Sequence, residues 1–204
     1  MVSKNVETLK YRYQLATAKE AVRSVVSSCT HPVLTTKFNE DSAVILHLVS
    51  QIIPDIPVIW VDTGYNSLET LNFAEELSAQ LPISLRTFKP RNHAIQTPPE
   101  YGSPEHDAFS NEVKVEPFQR ALQELNADAW ISSIRRYQSA FRFQHTIFEL
   151  LSNGIVKTSP LLEWTPETMN RYLDENRLPR GPVCFDPTKG EQAYQECGLH
   201  YDRA

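Results

Sequence analysis

The last ten residues, QECGLHYDRA, contain the first candidate for chemistry, Cys197. Terminal segments are usually poorly ordered unless something ties them down, and an exposed thiol there is open to oxidation. A cysteine becomes a strong nucleophile when nearby cations lower its pKa, and His200 follows Cys197 by three residues. The pattern predicts either an incidental cysteine or a mobile tail that carries sulfur chemistry to a site elsewhere in the molecule.

A second candidate is the basic stretch RRYQSAFR, which holds Arg135, Arg136 and Arg142. Guanidinium groups donate in pairs to phosphate or sulfate oxygens. Three of them within eight residues suit a small polyanionic ligand, in a chain whose net charge is −5. The alternative is a solvated basic face, which is the commoner outcome for a run of charges.

Two further stretches combine polar side chains with turn signals. TTKFNEDS places Thr35, Thr36 and Lys37 before a predicted helix, where backbone N–H groups and these side chains form an anion cradle or merely cap the helix. DTGY places Asp62 and Gly64 after an apolar run; an acid there binds a ribose or base amine, or stabilises the turn. Together with the arginines, these stretches indicate a nucleotide with more than one anionic group.

The elements that must position these residues alternate along the chain. Helical patterns cover 5–28, 41–53, 67–81, 116–126 and 165–176, and strand patterns cover 31–38, 56–63, 83–89, 127–134 and 154–164. We predict a loop over 90–113 and a further helix that follows the arginines and ends at Leu151. The alternation predicts a doubly wound α/β fold, a mostly parallel sheet with helices on both faces. Ligands of such folds bind beyond the carboxyl ends of the strands, which is where the four polar stretches at 35–42, 62–66, 88–93 and 132–142 fall.

The division that we expect is a nucleotide-binding domain over 1–176 and a mobile C-terminal tail over 177–204 that carries the reactive cysteine. The acidic pI of about 5.7 argues against general binding of nucleic acid or membrane surfaces. No apolar run has membrane-spanning length, and MVSKNVETLKYRYQ lacks the apolar core of a signal peptide. Cys29, Cys184 and Cys197 are far apart, which suits a reducing cytoplasm and cannot hold a four-thiolate cluster. With six glycines, the chain also lacks GxGxxG and GxxxxGK loops.

Taken together, these stretches resemble the 3′-phosphoadenylyl sulfate (PAPS) reductases of the adenine nucleotide α-hydrolase-like group. The matching stretches are FNEDSAVILHLV, PDIPVIWVDTGYNSLET, KVEPFQRALQELNADAW, IRRYQSAFR and the terminal ECGLH. They follow the family's order from about Val33 to His200. ECGLH is the most specific of them, because it is similar to the family's catalytic tail.

The resemblance implies a two-step reaction of sulfate assimilation, which leads to cysteine biosynthesis. Cys197 attacks the sulfonyl sulfur, adenosine 3′,5′-bisphosphate leaves, and a cysteine S-sulfonate remains. Thioredoxin or glutaredoxin, as an external dithiol protein, then releases sulfite. The resemblance further implies a homodimer with no bound flavin, iron–sulfur cluster or metal.

Site residues follow from the resemblance position by position, with Cys197 as the catalytic residue. The implied substrate-binding residues are Thr35, Thr36, Lys37, Phe38, Asp62, Gly64, Lys114, Arg135, Arg136, Gln138, Ser139, Arg142 and His200. Among them, we expect Lys37 and the three arginines to neutralise most of the substrate's negative charge.

This sequence departs from the family pattern at several positions. Asn39 and Ser133 stand where glycine is usual, and Lys37 stands where serine is usual. The segment before the terminal cysteine is short and contains Cys184, which is either a half-buried packing residue or the partner of Cys197 in a resting disulfide. We expect Cys29 to be buried and inert.

Two rival interpretations remain open. Relatives in the wider group use ATP to adenylate a substrate, but their glycine-rich SGGxDS-like loop is absent from TTKFNEDS. Alternatively, the chain is a nucleotide-binding protein whose catalysis has decayed. Release of pyrophosphate from ATP distinguishes the first rival, and nucleotide binding without sulfite production distinguishes the second.

Overall fold

The computed structural model describes residues 2–91 and 97–189. Six strands form one sheet: β1 (Pro32–Thr36), β2 (Ile56–Val61), β3 (Ile83–Phe88), β4 (Ala129–Ile131), β5 (Phe148–Leu150) and β6 (Val156–Thr158). Their order across the sheet is β3-β2-β1-β4-β6-β5, and every pair is parallel except β5 with β6. The parallel strands therefore present their carboxyl ends at one edge of the sheet.

The described helices are α1 (Val2–Ser28), α2 (Ser42–Ser50), α3 (Leu68–Gln80), α4 (Pro104–Ser110), α5 (Glu116–Glu124) and α6 (Pro166–Asn176). A π-helical turn, Asn111–Val115, joins α4 to α5. Two 3₁₀ turns follow β4, at Arg136–Gln138 and Ala140–Gln144.

Local sequence signals explain where two helices begin. The Ser67 hydroxyl accepts a hydrogen bond from the backbone N–H of Thr70 at the start of α3. Thr165 does the same for Thr168 at the start of α6, where Pro166 occupies the first turn. Such side chains satisfy N–H groups that have no partner within the helix.

The core has two parts, one on each face of the sheet. One face is covered by apolar side chains of α1, α2, α3 and α6, such as Val22, Leu46, Leu77 and Leu173. The other face is covered by α5, whose Phe118 packs with Trp130 of β4. This arrangement confirms the predicted fold class, a mostly parallel α/β sheet with helices on both faces.

Two predictions of local structure were wrong. The predicted loop over 90–113 contains α4 and the first part of the π-helical turn, because Ser103 caps a helix that Pro104 begins. The predicted helix ending at Leu151 is instead the second 3₁₀ turn followed by β5. In that strand Phe148 and Leu150 are exposed and Glu149 is not, an alternation with the period of a strand.

The division between domain and tail stays a prediction. Helix α6 ends at Asn176, and residues 177–189 contain no helix or strand. Cys197 and His200 lie outside the described residues. Among the described helices, none combines the length and apolar character needed to cross a membrane.

Candidate active site

A cleft of about 1090 Å³ opens at the carboxyl ends of the parallel strands. Its walls come from the ends of β1, β2 and β4, from the two 3₁₀ turns and from the segment 184–189. Eight of the residues predicted to bind substrate line it: Thr35, Thr36, Lys37, Lys114, Arg135, Gln138, Ser139 and Arg142. Ser133 also lies in its wall. The strand-end rule therefore located the cleft, although the role of each residue stays a prediction.

The loop after β1 is anchored by Phe38. Its side chain is fully buried and contacts Trp60 edge-on, with ring centroids 5.0 Å apart. Its backbone is left-handed (φ 54°), and its N–H donates to the Thr36 hydroxyl at 3.2 Å. The left-handed residue is thus Phe38 and not Asn39, the neighbouring position at which glycine is usual in the family. Because the Phe38 ring is in the core, only its backbone can face a ligand.

Asp62 and Gly64 stabilise a turn beside the cleft. Asp62 Oδ1 accepts from the N–H of Gly64 at 3.1 Å and from the Asn66 amide at 2.7 Å, and Lys89 Nζ lies 3.0 Å from Oδ2. Burial opposes ionisation of Asp62, but Asn66, Lys89 and Gly64 hold its pKa below the ordinary value. Gly64 has φ 87°. Asp62 thus stabilises this turn, neither Asp62 nor Gly64 lines the cleft, and their predicted role in substrate binding stays a prediction.

The three arginines divide between cleft and surface. Arg135 lines the cleft, is only 5% exposed, and pairs with Asp41 through an Nη2–Oδ2 distance of 2.7 Å. Its buried Nε has no hydrogen-bond partner among the described residues. Arg142 also lines the cleft and donates to the side-chain oxygen of Gln138. Arg136 points away, toward Glu163 at 2.5 Å and the carbonyl of Phe143.

Besides the arginines, a lysine cluster lines the cleft. It consists of Lys37, Lys114 and Lys189, with Asp186 among them. Desolvation, followed by the nearby charge of Lys189, lowers the pKa of Lys37, although this residue stays accessible to solvent. Such a site stabilises added negative charge, because an anion relieves repulsion between the ammonium groups.

Asp186 was not predicted from the sequence. Lys114 Nζ lies 2.5 Å from its Oδ2, and the Thr188 hydroxyl and N–H donate to its Oδ1 at 2.7 and 3.1 Å. Burial opposes ionisation, but these partners hold the pKa of Asp186 at about 2. The only local signal was an Asp-Pro-Thr turn pattern, which carries no information about Lys114.

Sequence reasoning also missed a charged group in the lining of the cleft, which includes Lys157 and His145. Trp130 Nε1 donates to the Thr35 hydroxyl at 2.8 Å, and Lys157 Nζ lies 5.5 Å from the centre of the Trp130 ring. Glu149 holds Lys157 at 3.3 Å and His145 at 2.9 Å. Desolvation raises the pKa of Glu149, but His145 and Lys157 outweigh it and lower the pKa overall. A lysine within an apolar strand was the available signal, because such a side chain needs a partner.

Cys184 is half-buried, as the packing interpretation predicted. Its Sγ lies 3.3 Å from the carbonyl oxygens of Lys37 and Phe38, and burial raises the pKa of its thiol. The alternative disulfide involves Cys197 and so lies outside the described residues. Cys29 is half-buried, and burial, followed by the charge of Asp128, raises its pKa.

Solved structures of other proteins share the fold of this chain. The fold is shared with the FMN adenylyltransferase of Candida glabrata, with a TM-score of 0.63 at 15% identity over 81% of this chain and 56% of that one. A likeness at that identity establishes the α/β fold alone. A PAPS reductase from Candida auris, solved as a phosphate complex, matches with a TM-score of 0.68 at 27% identity, over 81% of this chain and 82% of that one.

Sequence comparisons identify the family. The model of the phosphoadenosine phosphosulfate reductase domain matches residues 31–186. Phosphoadenosine 5′-phosphosulfate reductases of Synechococcus and Escherichia coli O157:H7 are 36% and 37% identical, over 82% of this chain and 84% and 80% of theirs. The chain therefore belongs to the phosphoadenosine phosphosulfate reductase family, which confirms the resemblance and identifies an enzyme. The domain match ends at Asp186, eleven positions before Cys197.

Proposed function

We propose that this chain reduces 3′-phosphoadenylyl sulfate to sulfite and adenosine 3′,5′-bisphosphate in sulfate assimilation, with electrons from a dithiol protein. The observation that carries the proposal is the grouping of Lys37, Lys114, Arg135 and Arg142 around one strand-end cleft in an acidic protein. A nucleotide with separate anionic groups matches cations on separate walls. Family membership supplies the reaction class.

The first step transfers the sulfonyl group. The Cys197 thiolate attacks the sulfur of the substrate, a Cys197 S–S bond forms, and the bond from sulfur to the bridging phosphate oxygen breaks. Adenosine 3′,5′-bisphosphate leaves with the electron pair of that bond, and the cleft cations stabilise its phosphate charge. Lys189 is described and lines the cleft, and Cys197 follows it by eight positions in the sequence. Covalent geometry therefore limits the Cα of Cys197 to within about 29 Å of that of Lys189.

The second step releases sulfite. A thiolate of the donor attacks Cys197 Sγ, sulfite leaves, and the second donor thiol resolves the mixed disulfide, which regenerates Cys197 and leaves the donor oxidised. An external donor is favoured because Cys184 packs against the loop after β1 with a raised thiol pKa. We propose thioredoxin or glutaredoxin as the donor, a homodimer as the assembly and the cytoplasm as the location. No flavin or iron–sulfur cluster takes part in the proposed reaction.

The test is an intact mass of the reduced protein after incubation with 3′-phosphoadenylyl sulfate and no donor. We expect a gain of one sulfonate, which thioredoxin discharges as sulfite. Cys197→Ser should abolish the adduct, and Cys29→Ser, a matched thiol substitution at the end of α1, should retain it. Binding of adenosine 3′,5′-bisphosphate without any adduct would instead support a nucleotide-binding protein whose catalysis has decayed.

The same sample tests the ATP-using alternative. That alternative is worth testing because the fold is shared with an adenylyltransferase. The proposed reductase releases no pyrophosphate from ATP and Mg²⁺. Sustained pyrophosphate release that survives Cys197→Ser would replace the reductase proposal with the adenylating one.

A further inference from the structure

The segment 181–189, here called the strap, lines the cleft through Cys184, Phe185, Asp186, Pro187 and Lys189. At its start the N–H of Gly181 donates to the carbonyl of Glu40 at 3.3 Å. In its middle, Cys184 Sγ lies 3.3 Å from the carbonyl of Lys37. At its end Asp186 pairs with Lys114 of the π-helical turn. The strap thus connects the loop after β1 to the π-helical turn.

Asp186 is the negative charge of the lysine cluster. Its side chain is 14% exposed and that of Lys114 is 13% exposed, so water screens the pair weakly. Lys37 interacts electrostatically with both Asp186 and Lys189. The Asp186 carboxylate raises the pKa of Lys37, and the Lys189 ammonium lowers it. One carboxylate therefore faces three ammonium groups where the proposed function requires the cleft to accept anions.

We infer that Asp186 is an internal counter-ion that competes with the ligand's anionic groups for Lys37, Lys114 and Lys189, and so ties the position of the strap to occupancy of the cleft. The inference rests on the proposed function. A nucleotide bisphosphate brings more negative charge than one carboxylate, so it displaces Asp186 from Lys114 and releases that end of the strap. Linkage then requires reciprocity: whatever weakens the Asp186–Lys114 pair strengthens anion binding by the same factor.

The first test measures binding of adenosine 3′,5′-bisphosphate to Asp186→Asn by titration calorimetry. Asparagine keeps an oxygen for the N–H and hydroxyl of Thr188 but removes the charge. We expect binding about fivefold tighter or more, the lower end of usual coupling between sites. Asp174→Asn is the matched control, because it removes an equal charge from an exposed carboxylate paired with Arg180 and should leave affinity unchanged. Unchanged or weaker binding by Asp186→Asn would overturn the inference.

The second test follows the strap itself through Cys184. In a Cys29→Ser, Cys197→Ser background, the alkylation rate of Cys184 by iodoacetamide reports whether its sulfur leaves the carbonyls of Lys37 and Phe38. We expect adenosine 3′,5′-bisphosphate to raise this rate several-fold. Adding Asp186→Asn should raise it without ligand. A bound ligand that leaves alkylation unchanged or slows it would show that the strap stays in place, against the inference.

These outcomes separate the two proposals. Absence of bisphosphate binding by the wild-type chain would overturn the proposed function and the inference together. A sulfonate adduct on Cys197 combined with unchanged affinity in Asp186→Asn would overturn the inference alone.

Discussion

Arg135 and Arg136 are adjacent in sequence but have different surroundings. Arg135 follows the end of β4 in an extended conformation and turns into the cleft, where Asp41 balances its charge. Arg136 begins the first 3₁₀ turn and pairs with Glu163, whose side chain is 54% exposed. Exposed pairs of that kind contribute little to stability, whereas a buried guanidinium facing a cleft contributes strongly to anion binding.

This difference predicts unequal effects of two alanine substitutions. Arg135→Ala should weaken binding of adenosine 3′,5′-bisphosphate about tenfold or more, since a lost hydrogen bond to a charged group costs about 1.5–3 kcal/mol. Arg136→Ala should change it less than about twofold. Calorimetric titration, with thermal midpoints recorded for both variants, checks the prediction. Equal losses of affinity would show that Arg136 also reaches the ligand.

At the residue scale, the sequence revealed residues that lie at the end of a strand or within a few positions after it. Thr35, Lys37 and Arg135 were predicted because the rule for parallel sheets acts on the ends of recognisable strands. Asp186 and its partner Lys114 are 72 positions apart, and nothing in either local sequence indicates the other. Charge pairs between distant segments depend on the complete fold, so sequence patterns alone did not predict the lysine cluster.

At the scale of elements, the strap is held by a close approach that only glycine permits. A Cβ on Gly181 would lie 2.4 Å from the carbonyl oxygen of Asn39 and 2.7 Å from the Phe73 ring. The Asn39 backbone is itself held, because its N–H donates to the Ser42 hydroxyl at 2.8 Å. Neither neighbour gives way easily, so the start of the strap would have to move.

Gly181→Ala should therefore lower the free energy of unfolding by about 1–3 kcal/mol, the usual cost of overpacking. It should also increase alkylation of Cys184, which lies three residues later. Val183→Ala is the control within the strap, since Val183 is 80% exposed. Urea unfolding and the alkylation rate of both variants test this. Equal stability of the two variants would contradict the described packing.

The missed elements have physical causes. Helix α4 has seven residues and lies in a proline-containing segment. Seven residues are too few to show a clear helical periodicity of apolar positions. Strand β5 has three residues at the sheet edge and forms through its pairing with β6. Long buried elements such as α2 and β2 were predicted because their patterns are strong without tertiary context.

For the whole molecule, ionised carboxylates held by cations predict a loss of stability in acid. Asp62, Glu149 and Asp186 all have pKa values below their ordinary ones, that of Asp186 falling from 3.8 to about 2. A lowered pKa contributes stability that is complete above the unfolded value and is lost as pH falls through the folded value. The unfolded chain binds these protons first, so unfolding becomes easier as pH falls from about 5 toward 2.

Asp186 alone should contribute about 2 kcal/mol at pH 7, from the size of its shift. Asp186→Asn should therefore be less stable than the wild type by about that amount at pH 7, and the difference should shrink as pH falls below 4. Urea unfolding of both proteins at pH 7, 4 and 3 measures it. A difference that is the same at every pH would mean that the Asp186 charge does not stabilise the fold.

The π-helical turn between α4 and α5 determines the direction in which the buried residues of α4 face relative to those of α5. An α-helix advances about 100° per residue. The buried residues of α4 are His106, Phe109 and Ser110, and those of α5 are Pro117, Phe118, Ala121 and Leu122. On one uninterrupted α-helix these two sets would face directions about 100° apart, which is the advance of a single residue. The π-helical turn is wider and accommodates one more residue than an α-helical turn, so both sets of buried residues face the same side. Deleting one residue from this turn should therefore leave a continuous α-helix on which both sets still face the same side, whereas forcing the full-length segment into an α-helix would swing α4 by about a quarter turn.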